Sequence, residues 1–266
     1  MNWFEALILG IVQGLTEFLP VSSSGHLELG KALLNVDAPE DITFTVVVHG
    51  ATVLSTLVVF FREVWILLKG SFRFRWNQET QYVVRIIISM LPVLFAGIFL
   101  QDYIEGFFNG RIVFVGLMLL VTALLLGLAH FLQDRVKKGK IGYGSAFIMG
   151  IAQAFATLPG ISRSGATIAT GLLLGKDRKE VAQFSFLMVL IPIIGANLIK
   201  LRELDPGANI GQVSSITLLV GFIAAFISGW IACSWMVALV KKGKLIWFAI
   251  YCLIIGLTAI ASGLFL

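Results

Sequence analysis

The sequence predicts an all-α polytopic membrane protein with six transmembrane helices and two re-entrant helical hairpins, arranged as an inverted-topology repeat. Hydrophobic residues make up 58% of the 266 residues and charged residues only 13%, whereas soluble chains carry about 25% charged residues. The mean hydropathy is +0.94. Long apolar stretches and two interrupted ones recur in the same order in both halves of the chain, so the repeat is part of the prediction.

Six apolar stretches approach or exceed the roughly 18 to 20 residues that a helix needs to cross the hydrocarbon core. The two-residue alternation typical of an outer-membrane barrel is absent from the sequence. The predicted spans are residues 44–61, 83–100, 112–132, 184–200, 215–238 and 245–265.

Two further segments are apolar but interrupted. Gln13 and Glu17 break the first, residues 3–34, and Pro159 and the SRSG stretch break the second, residues 145–175. Each is predicted to be two half-helices joined by a polar turn. Such backbone is tolerated at membrane depth only where protein or a water-filled cavity satisfies it, so we expect two re-entrant hairpins.

The loop charges favour this topology. With two re-entrant hairpins, fifteen Lys and Arg residues fall in loops on one face and four on the other, whereas a single crossing by each broken segment gives eleven and eight. The positive-inside rule then predicts a cytoplasmic basic face and both termini outside. It also explains the net charge of +5 without nucleic acid. The basic loops are residues 62–85, 133–144, 176–183 and 239–244.

The repeat has a constant offset of 140 residues within a single membrane domain, 1–266, whose halves are about 1–132 and 141–266. Each half has one hairpin and three spans, and three is odd, so the second half is expected to be inverted. Inverted repeats bring their broken helices together near the bilayer midplane. The matching pairs are Gly10/Gly150, Ile11/Ile151, Gln13/Gln153, Ser22/Ser162, Ser24/Ser164, Gly25/Gly165, Glu40/Glu180 and Phe44/Phe184.

Ionisable residues in the broken segments are candidates for chemistry, because a charge at the bilayer centre costs about 2.5 to 3.5 kcal/mol. Arg163 offers a fork of donors that suits phosphate oxygens, and His49 is a further, weaker candidate. Serines at the repeated S-x-S-G positions precede predicted helix N-termini, which favour anions. These positions predict a phosphate cradle that contains Ser22, Ser24, Gly25, Ser162, Ser164 and Gly165.

Reactive groups lie in the first hairpin. The serines at 22–24 supply a potential nucleophile, and His26 supplies a proton carrier. Glu17 could orient the histidine, accept a proton or hold a divalent cation. Gln13 is suited to tying the half-helices together and could also hold a ligand. This set of groups predicts hydrolysis of a phosphoester or phosphoanhydride.

The stretches QGLTEFLPVSSSGH at 13–26 and LPGISRSGATI at 158–168 resemble the two signature motifs of the undecaprenyl-diphosphate phosphatase family, the bacterial bacitracin-resistance proteins. The runs FTVVVHGA at 44–51 and FSFLMVLIP at 184–192 fit as well. The resemblance implies removal of the terminal phosphate from the C55 isoprenoid diphosphate, which recycles the lipid carrier for cell-wall synthesis and confers bacitracin resistance. It also implies a bacterial inner membrane location and a site open to the periplasmic face.

The resemblance also implies roles for individual residues. Ser23 would be the attacking hydroxyl, His26 the proton-transfer residue and Arg163 the phosphate clamp. Glu17 would be the essential carboxylate and the candidate ligand of an activating Mg²⁺ or Ca²⁺. Many family members have glutamate where this chain has Gln13. If that glutamate holds the metal, this chain lacks one charged metal ligand. The residues expected to bind substrate are Ser22, Ser24, Gly25, Ser162, Ser164, Gly165 and Gln13.

Several alternatives stay open at this point. Attack by His26 instead of Ser23 fits the same residues, and a transporter or flippase of a polyprenyl phosphate fits the same inverted repeat. Another lipid-phosphatase superfamily uses SGH and SR elements, but Ala169 occupies its expected histidine position. The expected partners are a polyprenyl diphosphate lipid and the bilayer, without nucleic acid, and the sequence leaves a homodimer open.

Overall fold

The computed structural model describes residues 1–34, 41–100, 112–133, 139–203 and 214–265. Glu40, Arg111, Arg135, Lys137 and Lys138, which were used in the repeat and loop-charge arguments, lie outside these ranges. The described residues form eleven helices: α1 Trp3–Phe18, α2 Ser23–Leu34, α3 Asp41–Val59, α4 Phe61–Ser71, α5 Gln78–Phe99, α6 Ile112–Leu132, α7 Tyr143–Phe155, α8 Arg163–Leu173, α9 Arg178–Glu203, α10 Ser215–Lys241 and α11 Ile246–Phe265.

Five of these helices, α5, α6, α9, α10 and α11, are long and apolar enough to cross a bilayer. A sixth span is obtained only if α3 and α4 are counted together across a bend of 76°. The predicted class, a helical polytopic membrane protein, is confirmed. The count of six spans stays a prediction.

The predicted element boundaries differ most from the structure in two places. The stretch predicted as a span at 44–61 ends as a helix at Val59, and α4 occupies ten residues that were assigned to a loop. The stretch predicted at 184–200 begins earlier, at Arg178. The missed helix α4 and the early start of α9 have one cause, since charged residues are helical in both without contributing to an apolar run.

Each interrupted segment is a pair of helices in contact across a break: α1 packs on α2, and α7 packs on α8. Leu19 is extended at the end of α1 and precedes Pro20. In the second break Gly160 has a φ of +96°, a conformation that favours glycine. The side-chain oxygen of Ser162 then caps α8 by accepting from the amide of Gly165. Re-entry into the bilayer on one side stays a prediction.

The broken helices pack against spans of the opposite half, α1 on α10 and α7 on α5. Glycines make this possible. A Cβ on Gly10 would lie 2.5 Å from the carbonyl oxygen of Gly221, and one on Gly150 would lie 2.2 Å from that of Ser89. Small residues allow such close approach of helices in membranes. The positions of α1 and α7 are therefore fixed by backbone contact with the other half.

Gly116 on α6 and Gly256 on α11 pack against each other, although they stand 140 positions apart in the sequence. A Cβ on either one would lie within 2.9 Å of the other's carbonyl oxygen. A residue that meets its own repeat equivalent is expected near a two-fold axis, so this contact accords with the repeat. The inversion of the second half relative to a bilayer stays a prediction.

Candidate active site

Glu17 is the centre of the site. Its Oε1 accepts a hydrogen bond of 2.8 Å from Nη2 of Arg163, and the two form an ion pair. Its Oε2 accepts from the hydroxyl of Ser23 at 2.7 Å and from the side-chain amide of Gln13 at 3.0 Å. The Glu17 side chain is only 7% exposed and that of Arg163 28%. A buried carboxylate thus joins a hydroxyl and a guanidinium.

The breaks in the two hairpins bring these side chains together. Gln13 and Glu17 lie four residues apart on the last turns of α1, so they share one face of that helix. Ser23 begins α2 and Arg163 begins α8. The structure thereby brings the predicted clamp of the second half into contact with the predicted carboxylate of the first.

The two serine turns have the same internal hydrogen bonds. Ser22 Oγ lies 3.4 Å from Ser24 Oγ and accepts from the Gly25 amide. In the other turn Ser162 Oγ lies 3.2 Å from Ser164 Oγ and accepts from the Gly165 amide. The first serine of each turn is buried and caps a helix.

This capping changes what the turns can offer an anion. The Gly25 and Gly165 amides already have acceptors, namely the hydroxyls of Ser22 and Ser162. Within the described ranges, the backbone amides of Ser24 and Ser164 have no acceptor. Both belong to the first turn of a helix, where unpaired amides favour an anion.

His26 makes no hydrogen bond with Ser23 in the part of the chain that the structure describes. Its Nδ1 lies 2.8 Å from the Ser22 carbonyl oxygen, and its Nε2 lies 2.8 Å from Tyr251 Oη. Since a carbonyl can only accept, the neutral ring carries its proton on Nδ1, and Nε2 accepts from the tyrosine. The two rings also stack, with centroids 5.6 Å apart and 15° between planes.

Tyr251 was not among the residues expected from the sequence. It lies on α11, 225 positions from His26, and is 41% exposed. The available signal was one tyrosine inside the apolar run IWFAIYCLII. That signal is weak, because tyrosine is common wherever a span meets the membrane interface.

A small cavity of about 20 Å³ lies beside Glu17 and Arg163. This volume is enough for about one water molecule. The side-chain carbonyl oxygens of Gln13 and Gln153, which are equivalent in the repeat, are both buried and have no hydrogen-bond partner among the described residues. The other polar residues that line the cavity are Thr52, Thr56, Gln153, Ser164, Thr167 and Ser185.

His49 lies close enough to Glu17 to interact with it electrostatically. Its Nδ1 is 2.8 Å from the Thr45 carbonyl oxygen, within α3. A third helix, α3, therefore also contributes an ionisable group to the surroundings of Glu17. Across the described ranges, no group of three or more His, Cys, Asp or Glu side chains is placed to hold a metal ion.

A family model described as bacitracin resistance protein BacA matches residues 6–258. The chain belongs to this bacitracin resistance family. A family member from Bacteroides thetaiotaomicron, named undecaprenyl-diphosphatase, is 52% identical over 265 residues, 99% of this chain and 100% of the relative. Proteins of the same name from Parabacteroides distasonis and Christiangramia forsetii are 53% and 54% identical to this chain. Their matches cover 99% and 98% of this chain, and the same shares of the relatives' own lengths.

Proposed function

We propose that this member of the bacitracin resistance family is a membrane-embedded hydrolase that converts undecaprenyl diphosphate to undecaprenyl phosphate and inorganic phosphate. The observation that carries the proposal is the hydrogen bond of 2.7 Å from Ser23 to Glu17, whose other oxygen is paired with Arg163. A hydroxyl, a base and a phosphate-binding cation are thus in contact. The name shared by the relatives supports the choice of substrate.

The first step is attack by Ser23 Oγ on the terminal phosphorus. The Oγ–P bond forms while the anhydride P–O bond breaks, and undecaprenyl phosphate leaves with the electron pair of that bond. Glu17, which already accepts the Ser23 hydrogen bond, takes the proton. The leaving monophosphate is stable as an anion, so the step requires no added proton on the leaving oxygen.

The second step is attack by water on the phosphoserine. The new water O–P bond forms and the Oγ–P bond breaks, releasing inorganic phosphate. Glu17, having passed its first proton to solvent, takes one proton from the water and returns it to Ser23 Oγ. The cavity beside Glu17 has room for such a water molecule.

Arg163 is expected to exchange partners when substrate binds. Its guanidinium now donates to Glu17 Oε1 and is more exposed than that carboxylate. A terminal phosphate can take this donor and receive two parallel hydrogen bonds from the planar fork. The exchange removes the cation from Glu17 Oε1 at the moment when the other carboxylate oxygen, Oε2, takes the Ser23 proton. The unpaired amides of Ser24 and Ser164 supply two further donors to the diphosphate.

The contacts of His26 favour Ser23 as the nucleophile. Nε2 of His26 is the nitrogen with a free electron pair, and it faces Tyr251 Oη at 2.8 Å. Attack by His26 would require this tyrosine to move away, whereas Ser23 is already in contact with its base. We therefore assign nucleophilic attack to Ser23, keep His26 as a carrier of the proton that Glu17 passes to solvent, and assign Tyr251 to holding the histidine ring.

The site residues fit a divalent cation bound together with the substrate. Glu17 and the unpaired side-chain oxygen of Gln13 are the oxygen ligands that would hold Mg²⁺ or Ca²⁺, with diphosphate oxygens completing the shell. Such a cation would neutralise charge on the diphosphate when bound. Because the described site residues offer only one carboxylate, the substrate would contribute much of the binding of the cation.

We further propose that the protein is a multi-pass protein of the bacterial inner membrane whose site opens to the periplasmic face. The excess of basic residues in the predicted cytoplasmic loops supports the orientation. The proposed chemistry needs only one chain, because Glu17, Ser23 and Arg163 all come from the same molecule. A homodimer is the alternative to a monomer, and the oligomeric state of the purified protein distinguishes the two.

The test is phosphate release from undecaprenyl and farnesyl diphosphate by the purified protein. Acid quenching during turnover should leave phosphate on Ser23, because a phosphoserine survives acid. An acid-labile phosphoenzyme mapped to His26 would overturn the serine assignment. If no phosphate appears with any divalent cation although the lipid binds, the site would instead serve a polyprenyl phosphate transporter.

A further inference from the structure

The short helix α4 leaves the end of α3 at a bend of 76°. If α3 runs across the bilayer, α4 runs nearly parallel to its surface. We define the α4 patch as the exposed aromatic, leucine and basic side chains of this helix and the following turn. Its members are Phe61, Arg62, Trp65, Leu68, Lys69, Phe72, Arg73, Phe74, Arg75 and Trp76.

The apolar members on the helix and at its C-cap, Phe72, share one face. Phe61, Trp65, Leu68 and Phe72 follow one another at intervals of four, three and four residues, the spacing of a single helical stripe. They are 66%, 58%, 47% and 72% exposed, and the rings of Phe61 and Trp65 stack with centroids 6.4 Å apart. Val64 and Leu67, on another side of α4, pack against the protein core. The stripe is thus exposed on a helix that is already anchored.

The basic members form a second stripe beside the first. Arg62, Lys69 and Arg73 recur at intervals of seven and four residues, roughly a quarter turn from the apolar stripe at 3.6 residues per turn. In the described part of the chain none of these side chains, nor that of Arg75, has an ion-pair partner. The nearby Glu79 side chain instead lies against Gly70, on the packed side.

The turn after α4 alternates aromatic and basic residues in the sequence FRFRW, residues 72–76. Phe74 is 91% exposed and has a φ of +50°, a strained conformation for phenylalanine. Hydrogen bonds hold this turn in place: Asn77 donates to the Gly70 carbonyl and Thr80 to that of Arg75, both at 2.9 Å. The fold therefore maintains a turn that presents Phe74 outward.

We propose that the α4 patch lies in the membrane interface and binds the headgroups of anionic phospholipids. Aromatic side chains prefer the level of the headgroups, and basic side chains are attracted to an anionic surface. A soluble polyanion would explain the cations but not the exposed Phe and Trp stripe. An uncharged lipid surface would explain the stripe but not the row of unpaired cations.

The position of the patch can be tested with an environment-sensitive fluorophore. Cys233 and Cys252 are both buried, so the variant Phe74→Cys directs an NBD label to the turn. In nanodiscs, we expect blue-shifted emission and quenching by lipids that carry a nitroxide near the headgroup. Lys242→Cys, at an exposed site without the aromatic alternation, is the control and should be quenched less. Water-like, unquenched emission at position 74 would overturn the proposal.

The headgroup preference requires a second measurement. Nanodiscs of mixed phosphatidylcholine and phosphatidylglycerol are dissolved, and the lipids that the full chain retains are counted by native mass spectrometry. One basic residue near an anionic surface is worth about fivefold in affinity, so R62Q/K69Q/R73Q/R75Q should retain at least about fivefold less phosphatidylglycerol.

A charge-preserving variant separates attraction from loss of fold. R62K/R73K/R75K should retain phosphatidylglycerol like the parent protein, and both variants should elute from a sizing column at the parent volume. Equal retention of phosphatidylglycerol by the glutamine variant would overturn the headgroup assignment. Binding of a DNA oligonucleotide by the detergent-solubilised parent protein as strong as its binding of phosphatidylglycerol would also overturn the assignment, since it would indicate a general polyanion surface.

Discussion

Ser23 donates a hydrogen bond of 2.7 Å to Glu17 across the break between α1 and α2. The carboxylate, not the histidine, is thus the group that accepts a hydrogen bond from the proposed nucleophile. This relationship depends on the geometry of the turn, because the two residues belong to different helices. It also determines which substitutions are expected to abolish turnover and which to slow it.

Replacing Glu17 with glutamine should lower phosphate release by about 10² to 10⁴, the usual contribution of a general base. The amide keeps the size of the side chain but cannot take the Ser23 proton. Turnover of farnesyl diphosphate in detergent is the measurement, and Glu63→Gln on α4 is the matched control. Retention of more than roughly a tenth of the parent rate would contradict a base at this position.

Arg163→Lys should lower turnover by roughly tenfold to a hundredfold, since hydrogen bonds to charged groups contribute about 1.5 to 3 kcal/mol each. Lysine keeps the charge but loses the planar fork that can bind two phosphate oxygens. Arg85→Lys, whose parent side chain lies over the Tyr143 ring, is the control. Near-normal turnover of R163K would show that a point charge is enough.

Tyr251→Phe should lower turnover about fivefold, the value of one neutral hydrogen bond of about 1 kcal/mol. The ring that stacks on His26 remains, so only the contact between Tyr251 Oη and His26 Nε2 is lost. Tyr143→Phe is a close control, because both tyrosines are 41% exposed. A positioning role also predicts an altered pH–rate profile for Y251F, and an unchanged profile and rate would refute that role.

Gly14→Ala should destabilise the protein by about 1 to 3 kcal/mol through overpacking. An added Cβ would lie 2.5 Å from the Ala225 carbonyl oxygen and in collision with Ser228 Oγ, so α1 must move away from α10. Glu17 lies one turn further along α1, and turnover should fall with stability. Gly127→Ala, where nothing lies within 4 Å, should leave the thermal midpoint in detergent unchanged or slightly higher.

Gln13→Glu should strengthen binding of Ca²⁺ or Mg²⁺ on the order of tenfold, because it places a second carboxylate beside Glu17. Isothermal titration calorimetry without substrate reports this directly and does not depend on activity. Gln133→Glu, at a glutamine that donates to the His130 carbonyl, controls for the added charge. Equal affinity in parent and Q13E would show that position 13 is not a ligand.

The sequence predicted the spans best where apolar residues fill the whole helix. The predicted span 112–132 coincides with α6, because apolar residues dominate that run from end to end. The helix α4 was missed, since Arg62, Glu63 and Lys69 make it resemble a loop by composition. Its helical state and its bend from α3 depend on packing of Val64 and Leu67, which no local pattern reports.

The sequence was sufficient to select candidate residues for the site but not to predict the contacts between them. The repeat was sufficient to expect that Glu17 and Arg163 lie near each other, because equivalent breaks meet in such folds. The choice of Glu17 over His26 as the partner of Ser23 follows from side-chain geometry within one turn. The contact with Tyr251 depends on how α11 packs, 225 residues away, and has no counterpart in local sequence.

The pairing of Glu17 with Arg163 also has a consequence for synthesis of the chain. The two residues are 146 positions apart, so at about 5 to 20 residues per second the arginine is made roughly 7 to 30 s after the glutamate. If the first hairpin enters the bilayer during that interval, as the topology predicts, its carboxylate is uncompensated, at a cost that disfavours stable insertion. The ribosome therefore delivers the proposed nucleophile and its carboxylate partner before the arginine that neutralises the carboxylate, and on the proposed mechanism the nascent protein is inactive until its second half has been made.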